Sequence, residues 1–492
     1  MTLRLRFLLD TNILIPLQDS YVILERNLAN FVRLASVGGH QLLYHPASVS
    51  DIQRDRDTTR KERTLKRLAQ YIKLENPPSC PWNTAVTSAN DACDNDILYA
   101  LECEATHALV TEDRNLHTKA RDRGLAHRVY TIQTAEDWLR RLHETAEVRL
   151  PNIHDVPLHT LTPFLRHVFF NSLREGYPTF DAWFREKARE GRHAWVYRDD
   201  TDAVAALCIY VVQENEQIND EGEVLSGRAL KLSTFKVGEL VRGRKIGELF
   251  LKAAFWYATN NACGHIFVHG NVERHGYLIE LLEDFGFRKR GFYRGDMVLV
   301  KEHPDTPPQP HLAPTEYVRL YYPHFRHDEA VAKYLVPIQP RYHQILFPDY
   351  ASPGKQQLQL FYSVNNVGNA IKLAYLCHTP TKTIRAGDLL LFYRTDDERA
   401  VTTLGIVDQF EILTDAPRIA SLVSRRTVYS QSEIDAMAKK QTKVILFRFI
   451  QHFPRSVTYD ELLRQDIVTG PIQSLRRIDE TRYKRLVQIS GM

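Results

Sequence analysis

LRFLLDTN, residues 5–12, is the stretch on which the reading of the N-terminal third turns. A short β-rich apolar run that stops on Asp10 reads as a strand delivering a carboxylate to its C-terminal end, where open α/β sheets expose their ligand-binding groups. Similar runs recur at QLLYH (41–45), HALVT (107–111) and RVYTI (128–132). Helical patterns such as YVILERNLANFVRLAS and DILYALECEA alternate with them. That alternation predicts a parallel α/β sheet over residues 1–144.

Three further carboxylates lie at expected element ends: Asp51 in HPASVSDIQRD, Asp96 opening DILYALECEA, and Asp113 after HALVT. Each has an ordinary reading. Asp51 completes a Ser48-x-x-Asp capping box, Asp96 opposes a helix dipole, and Asp113 suits a turn. Taken together they point elsewhere, because converging carboxylates repel one another unless a cation neutralises them. Oxygen-only ligands without His or Cys suit Mg²⁺ or Mn²⁺ rather than zinc. Such an ion activates water and stabilises charge on a phosphodiester under attack.

LLDTN, SDIQRD, NDILYALECEATHALVTED and the following RNL resemble the ordered motifs of PIN-domain ribonucleases over nearly all of residues 1–144. The resemblance implies that Asp10, Asp51, Asp96 and Asp113 bind metal and catalyse RNA hydrolysis, with Asn12 and Thr111 orienting carboxylates or water. The slot held by Asp51 is often Glu in the family, and Asp55 and Asp57 compete for it. Asp91 and Asp94 are alternates that read as a solvated loop. Dimerisation is a family expectation.

Composition sets outer bounds. A chain of 492 residues exceeds what one core usually organises, and 43% apolar with 25% charged residues is the profile of packed domains. No apolar run reaches the length of a bilayer-spanning helix, and the six cysteines are scattered without a CxxC pair. The expectation is a soluble, unexported cytoplasmic protein with free thiols. A net charge of +4 does not announce a nucleic-acid binder, although basic residues predominate after Ser421.

Residues 145–303 offer a second chemistry. LKLSTFKVGELVRGRKIGELFLKAAFWYA passes from a strand through a basic glycine-containing turn into an amphipathic helix, presenting backbone N–H groups and cations to phosphate. With HIFVHG, HGYLIELLEDFGF and DMVLVKE it resembles the closing half of the GNAT acetyltransferase fold. The resemblance implies acetyl-CoA binding by Val237, Arg242, Gly243, Arg244, Lys245, Ile246 and Gly247. Lys245 fills the family's first glycine slot. Leu281 stands where many members carry a tyrosine, with Tyr277, His275 or Tyr293 as substitutes.

HPDTPPQPHLAP opens a proline-rich spacer and connector, residues 304–333. Beyond it YLVPIQ, LQLFYS, KLAYLC, DLLLFYR and KVILFRFI predict a small β-barrel with helices over 334–492, similar to the PUA-like superfamily and its ASCH type. Arg341, Tyr342, His343, Lys382, Tyr393 and Arg394 offer charge and stacking surface to RNA, helped by RRTVYS and SLRRIDETRYKR. The whole reads as a multidomain α/β protein: a PIN-like parallel sheet, a GNAT-like α/β sheet and a PUA-like barrel. The expected activity is metal-dependent hydrolysis of tRNA or another structured RNA. By family analogy this suits a toxin or defence enzyme restrained by an antitoxin or regulatory protein. The alternative is a GNAT-type N-acetyltransferase acting on RNA or protein, with the PIN domain as a binding platform.

Overall fold

In the computed structural model the run around Phe7 is the central strand of a five-stranded sheet. The structure describes residues 4–18, 26–55, 57–68, 71–82, 88–143, 153–199, 201–238, 246–270, 276–350, 371–423 and 429–492. Strands β1 (Arg6–Leu9), β2 (Gln41–Tyr44), β3 (Ile72–Lys73), β4 (Ala108–Val110) and β5 (Val129–Tyr130) lie in the order β3-β2-β1-β4-β5. Every pair is parallel. Between them run α1 (Thr11–Gln18), α2 (Arg26–Val37), α3 (Pro46–Gln53), α4 (Thr58–Arg67), α5 (Ala89–Glu102) and α6 (Arg114–Asp122), with α7 (Ile132–His143) at the end. Phe7, Leu8 and Leu9 are fully buried, as a central parallel strand covered on both faces must be. Phe7 meets Phe31 of α2 and Trp138 of α7 edge-on, while Leu8 joins Ile97 and Leu101 of α5.

Two helix starts differ from the sequence reading. Helix α5 begins at Ala89, not Asp96, because Ser88 caps it by accepting from Asp91 N. The stretch taken for a solvated loop is therefore its first turn and a half. In α3 the N-cap is His45, whose ring accepts from Ala47 N, and Asp51 stands near the other end. The expected Ser48-x-x-Asp capping box is absent, and Ser48 is fully buried.

The middle sheet has seven strands: β6 (Ile153–Pro157), β7 (His193–Arg198), β8 (Val204–Gln217), β9 (Val224–Val237), β10 (His265–Gly270), β11 (Arg288–Tyr293) and β12 (Asp296–Glu302). Their order is β11-β12-β10-β9-β8-β7-β6. All pairs are antiparallel except β9 with β10. The IHDVP segment is the edge strand β6. A lone alternating segment beside a proline carries little strand signal until it finds β7 as its partner. Helices α8 (Asn171–Gly176) and α9 (Phe180–Arg189) precede β7, α10 (Ile246–Asn260) follows β9, and α11 (Gly276–Asp284) follows β10.

The proline-rich segment is not a free spacer. It leads into α12 (Pro314–Tyr321), Tyr317 donates to the Pro308 carbonyl at 2.6 Å, and His324 lies 2.6 Å from that of Pro304. The fully buried Lys301 at the end of β12 donates to the Leu320 carbonyl at 2.5 Å, capping α12 from beneath.

The last sheet is six-stranded and mixed: β13 (Lys333–Ile338), β14 (Lys372–Cys377), β15 (Leu389–Arg394), β16 (Ala400–Leu413), β17 (Thr442–Thr458) and β18 (Arg476–Ile478), ordered β14-β17-β16-β15-β13-β18. Its helices are α13 (Pro340–Leu346), α14 (Ala416–Val423), α15 (Gln431–Ala438), α16 (Tyr459–Arg464) and α17 (Glu480–Ser490). The expected strand LQLFYS lies outside the described residues. The chain is thus a multidomain α/β protein with one parallel and two mixed sheets. Met1–Glu147 forms a compact unit together with Leu376–His378 and Glu411–Val444. The remainder is the second unit, in which one apolar cluster runs from Ile153 and Trp195 through Phe250 and Phe285 to Leu391 and Leu486. No helix among the described residues is long and apolar enough to cross a membrane.

Candidate active site

Asp10 is where the sequence places it, at the end of β1. Its Oδ1 accepts from Thr11 N and its Oδ2 from the Thr111 hydroxyl, each at 2.7 Å. Thr111 is fully buried after β4 and also accepts from Asn12 Nδ2 at 3.1 Å and Asp113 N at 3.0 Å. Asn12, Thr111, Asp10 and Asp113 are therefore joined in one hydrogen-bond network. Burial pushes the Asp10 carboxyl up to about 6, against the two hydrogen bonds and with help from the charges of Asp94 and Asp113. Asp113 caps α6, accepting from Asn115 N and Leu116 N.

The other two expected members have partners of their own. Asp51 accepts from Arg54, which also donates to Asn90 Oδ1 at 2.9 Å. Asp96 accepts from Cys80 N at 3.4 Å and influences His45. The carboxylate that α5 turns toward Asp10 and Asp113 is Asp94, whose carboxyl is raised by burial and lowered by its partner Lys119. Lys119 of α6 lies 3.0 Å from Asp94 Oδ2 and is also bonded to Asp91. Burial works against the Lys119 charge, but the two carboxylates override it and raise the ammonium pKa. Asp94 is legible only in retrospect, from Ser88-x-x-Asp91 as a helix cap that puts residues 91 and 94 on one face.

Among the described residues no three His, Cys, Asp or Glu side chains converge on a point that could hold a metal ion. The donor types suit Mg²⁺ or Mn²⁺, but their arrangement does not, since Asp94 already carries an ammonium. The expected metal site at Asp10, Asp51, Asp96 and Asp113 is not assembled in this geometry.

In the middle sheet β9 pairs with β10 from Ala229 to Leu232, opposite His265 to Val268. There the two parallel strands part, while β9 stays paired with β8 out to Val237. At the same level the β8–β9 register shifts, leaving Ser233 as an extra residue of β9 between Leu232 and Thr234. A bulge leaves its extra residue outside the ladder. Of the expected CoA-binding residues, Val237 ends β9, and Ile246 and Gly247 open α10. Arg242, Gly243, Arg244 and Lys245 lie outside the described residues. A Cβ on Gly247 would sit 2.7 Å from Leu281 Cδ2, the tip of a side chain on α11. His275 and the Tyr277 side chain are likewise outside the described residues. Tyr293 packs on His269, ring centroids 4.9 Å apart, and against the buried cluster around Phe267.

Sequence reading misses one further group. His193 Nδ1 lies 3.0 Å from Asp155 Oδ1, and Tyr210 donates to Asp155 Oδ2 at 2.6 Å. Trp195 stacks on Tyr210 at 3.9 Å. Three neighbouring strands supply these residues, so no sequence spacing marks them.

The C-terminal residues expected to face RNA divide sharply. His343 and Arg394 are buried: His343 Nε2 is 2.7 Å from Thr402 Oγ1, and Arg394 is bonded to Asp397. Burial, with the Arg394 charge, pushes the His343 imidazole down to about 3. Tyr393 is also buried. Arg341 and Lys382 are exposed, as are Arg477, Lys484 and Arg485 further on, and Arg341 rests 4.3 Å over the half-buried Tyr342 ring.

No family model matches the chain, and no curated protein matches it. Solved structures with parts similar to it include an ASCH protein from Zymomonas mobilis, 14% identical over 32% of this chain and 94% of that one, with a TM-score of 0.24. A putative GNAT-family acetyltransferase from Desulfovibrio desulfuricans is 14% identical over 30% and 97%, also at 0.24. A GNAT-family N-acetyltransferase from Escherichia coli, solved in complex with CoA, is 14% identical over 32% and 85%, again at 0.24. Likenesses this weak fix neither the family nor the activity of the chain.

Proposed function

We propose that residues 145–303 transfer an acyl group from a coenzyme A thioester to an amine on RNA or protein, and that the flanking regions hold the acceptor. The observation that supports this reading is the parting of β9 from β10 at the Ser233 bulge, directly before the turn into α10. A thioester seated there would place its carbonyl oxygen against backbone N–H groups at the parting, which stabilise negative charge as it develops. The diphosphate would meet the α10 N-terminus, where unpaired N–H groups and the helix dipole favour anions. The neutral amine attacks the acyl carbon, the C–N bond forms as the C–S bond breaks, and the surplus amine proton leaves with the thiol. In this reading Tyr293 packs rather than acting as the acid.

A second reading, metal-dependent RNA hydrolysis in residues 1–144, draws on one observation: buried Asp10 lies within electrostatic reach of Asp94 and Asp113. It ranks second because no described donor set is assembled for the ion. Calorimetry of the full chain with acetyl-CoA, alongside Gly247→Trp, tests the first reading. Saturable binding by the wild type that the variant loses is expected; no wild-type binding would remove acyl transfer. Mn²⁺-dependent cleavage of total RNA, abolished by Asp10→Asn, would instead promote the second.

A further inference from the structure

The acidic crevice of the first domain contains a cation of its own. Asp91 and Asp94 stand one helical turn apart on α5, and Lys119 reaches both from the middle of α6. All three side chains are half-buried, with exposures of 18%, 21% and 28%. Asp94 in turn lies near enough to Asp10 and Asp113 for the three carboxylates to act on one another. Lys119 thus brings a positive charge to two carboxylates that neighbour the expected quartet without belonging to it.

We infer that Lys119 is the resident counter-ion of the crevice, standing where a divalent ion would otherwise be required. This is independent of the acyl-transfer reading and bears on the second one: with Lys119 in place the crevice has no call for high-affinity metal. Removing one partner of a half-buried ion pair strands the other, so the folded state should depend on Lys119. That dependence should weaken when one of the two facing charges is removed as well, because contacting residues are not additive.

The experiment is a double-mutant cycle on the full chain, read by thermal melting and by calorimetric titration with Mn²⁺. Lys119→Gln keeps most of the side-chain length without the charge, and Lys119→Ala removes both. Expected are a melting temperature lowered by several degrees in Lys119→Gln, partial recovery in Lys119→Gln with Asp94→Asn because Asp91 stays charged, and no saturable Mn²⁺ heat from the wild type at millimolar concentration. Lys119→Ala is expected to fall at least as far as Lys119→Gln. Two results would overturn the inference: a Lys119→Gln chain as stable as the wild type, or saturable wild-type Mn²⁺ binding that Asp10→Asn abolishes. If Lys119→Gln does not fold alone, folding of the double variant supports the inference and failure of both overturns it. Loss of acetyl-CoA binding would leave each of these readouts unchanged.

Discussion

Asp10 carries its carboxyl at the end of β1 at a cost. Burial raises its pKa from the usual 3.8 to about 6, so the folded chain holds a proton there that the unfolded chain releases. Between these two values the native state binds more protons, and the stability contribution present at low pH is lost as pH rises toward 6. A shift of roughly two units corresponds to about 3 kcal/mol at most. Asp10→Asn removes the titration while keeping an oxygen for Thr11 N. The Asn amide nitrogen cannot accept from the Thr111 hydroxyl, so in chelator the expected outcome is a trend: melting of the variant against that of the wild type should shift in the variant's favour between pH 4 and pH 7.5. A gap unchanged with pH would show that Asp10 is not raised. Asp10 and Thr111 are legible in the sequence because each follows a short apolar strand, and strand ends in a parallel sheet are fixed by the strands themselves. Asp94 is not, since its role depends on the rotation of α5 about its axis and on a lysine on the next helix.

At the scale of elements, periodicity identifies buried strands and long helices well, and edge strands poorly. The first half of β8 is a continuous buried apolar run, the kind of segment that periodicity marks most clearly. By contrast, β6 and the largely exposed β11 need neighbours to become strands. The Ser233 bulge has no sequence signature, because it is a mismatch between two strands rather than a property of either. Gly286 is a different case. It follows α11 with φ +84°, and a Cβ there would lie 2.3 Å from the Arg319 carbonyl oxygen and 2.8 Å from Leu320 Cα. Both obstacles are backbone of the α12 connector, which Lys301 holds in place, so relief by a rotamer change is not available. Gly286→Ala should therefore cost about 2–4 kcal/mol, combining left-handed strain with overpacking. Urea unfolding measures it, and a loss below about 1 kcal/mol would mean that the connector yields.

At the scale of the whole molecule, the sequence divides into three fold-sized segments, whereas the contacts do not follow that division. Residues 411–444, carried between β16 and β17, belong to the compact unit of the first domain, where Arg418 lies 3.8 Å from Glu104. The middle and last sheets share one unit and one apolar cluster. Helix α10 is central to that union. Glu248 in its first turn accepts from Lys372 N at 3.1 Å. One turn on, Lys252 pairs with Asp349 at 2.6 Å, and Asp349 also meets His452 at 3.1 Å. A ligand seated at the start of α10 would hold these ties in place, and its binding energy would act on both sheets together. At a hundredfold excess over Kd such a ligand adds about 2.7 kcal/mol to the stability of the state it binds. Acetyl-CoA should accordingly slow amide exchange in β13 and β15 as well as in β9 and β10, and Asp349→Ala should confine the protection to the middle sheet. Protection confined to residues 153–302 in the wild type would show that the shared core does not transmit the ligand's stabilisation.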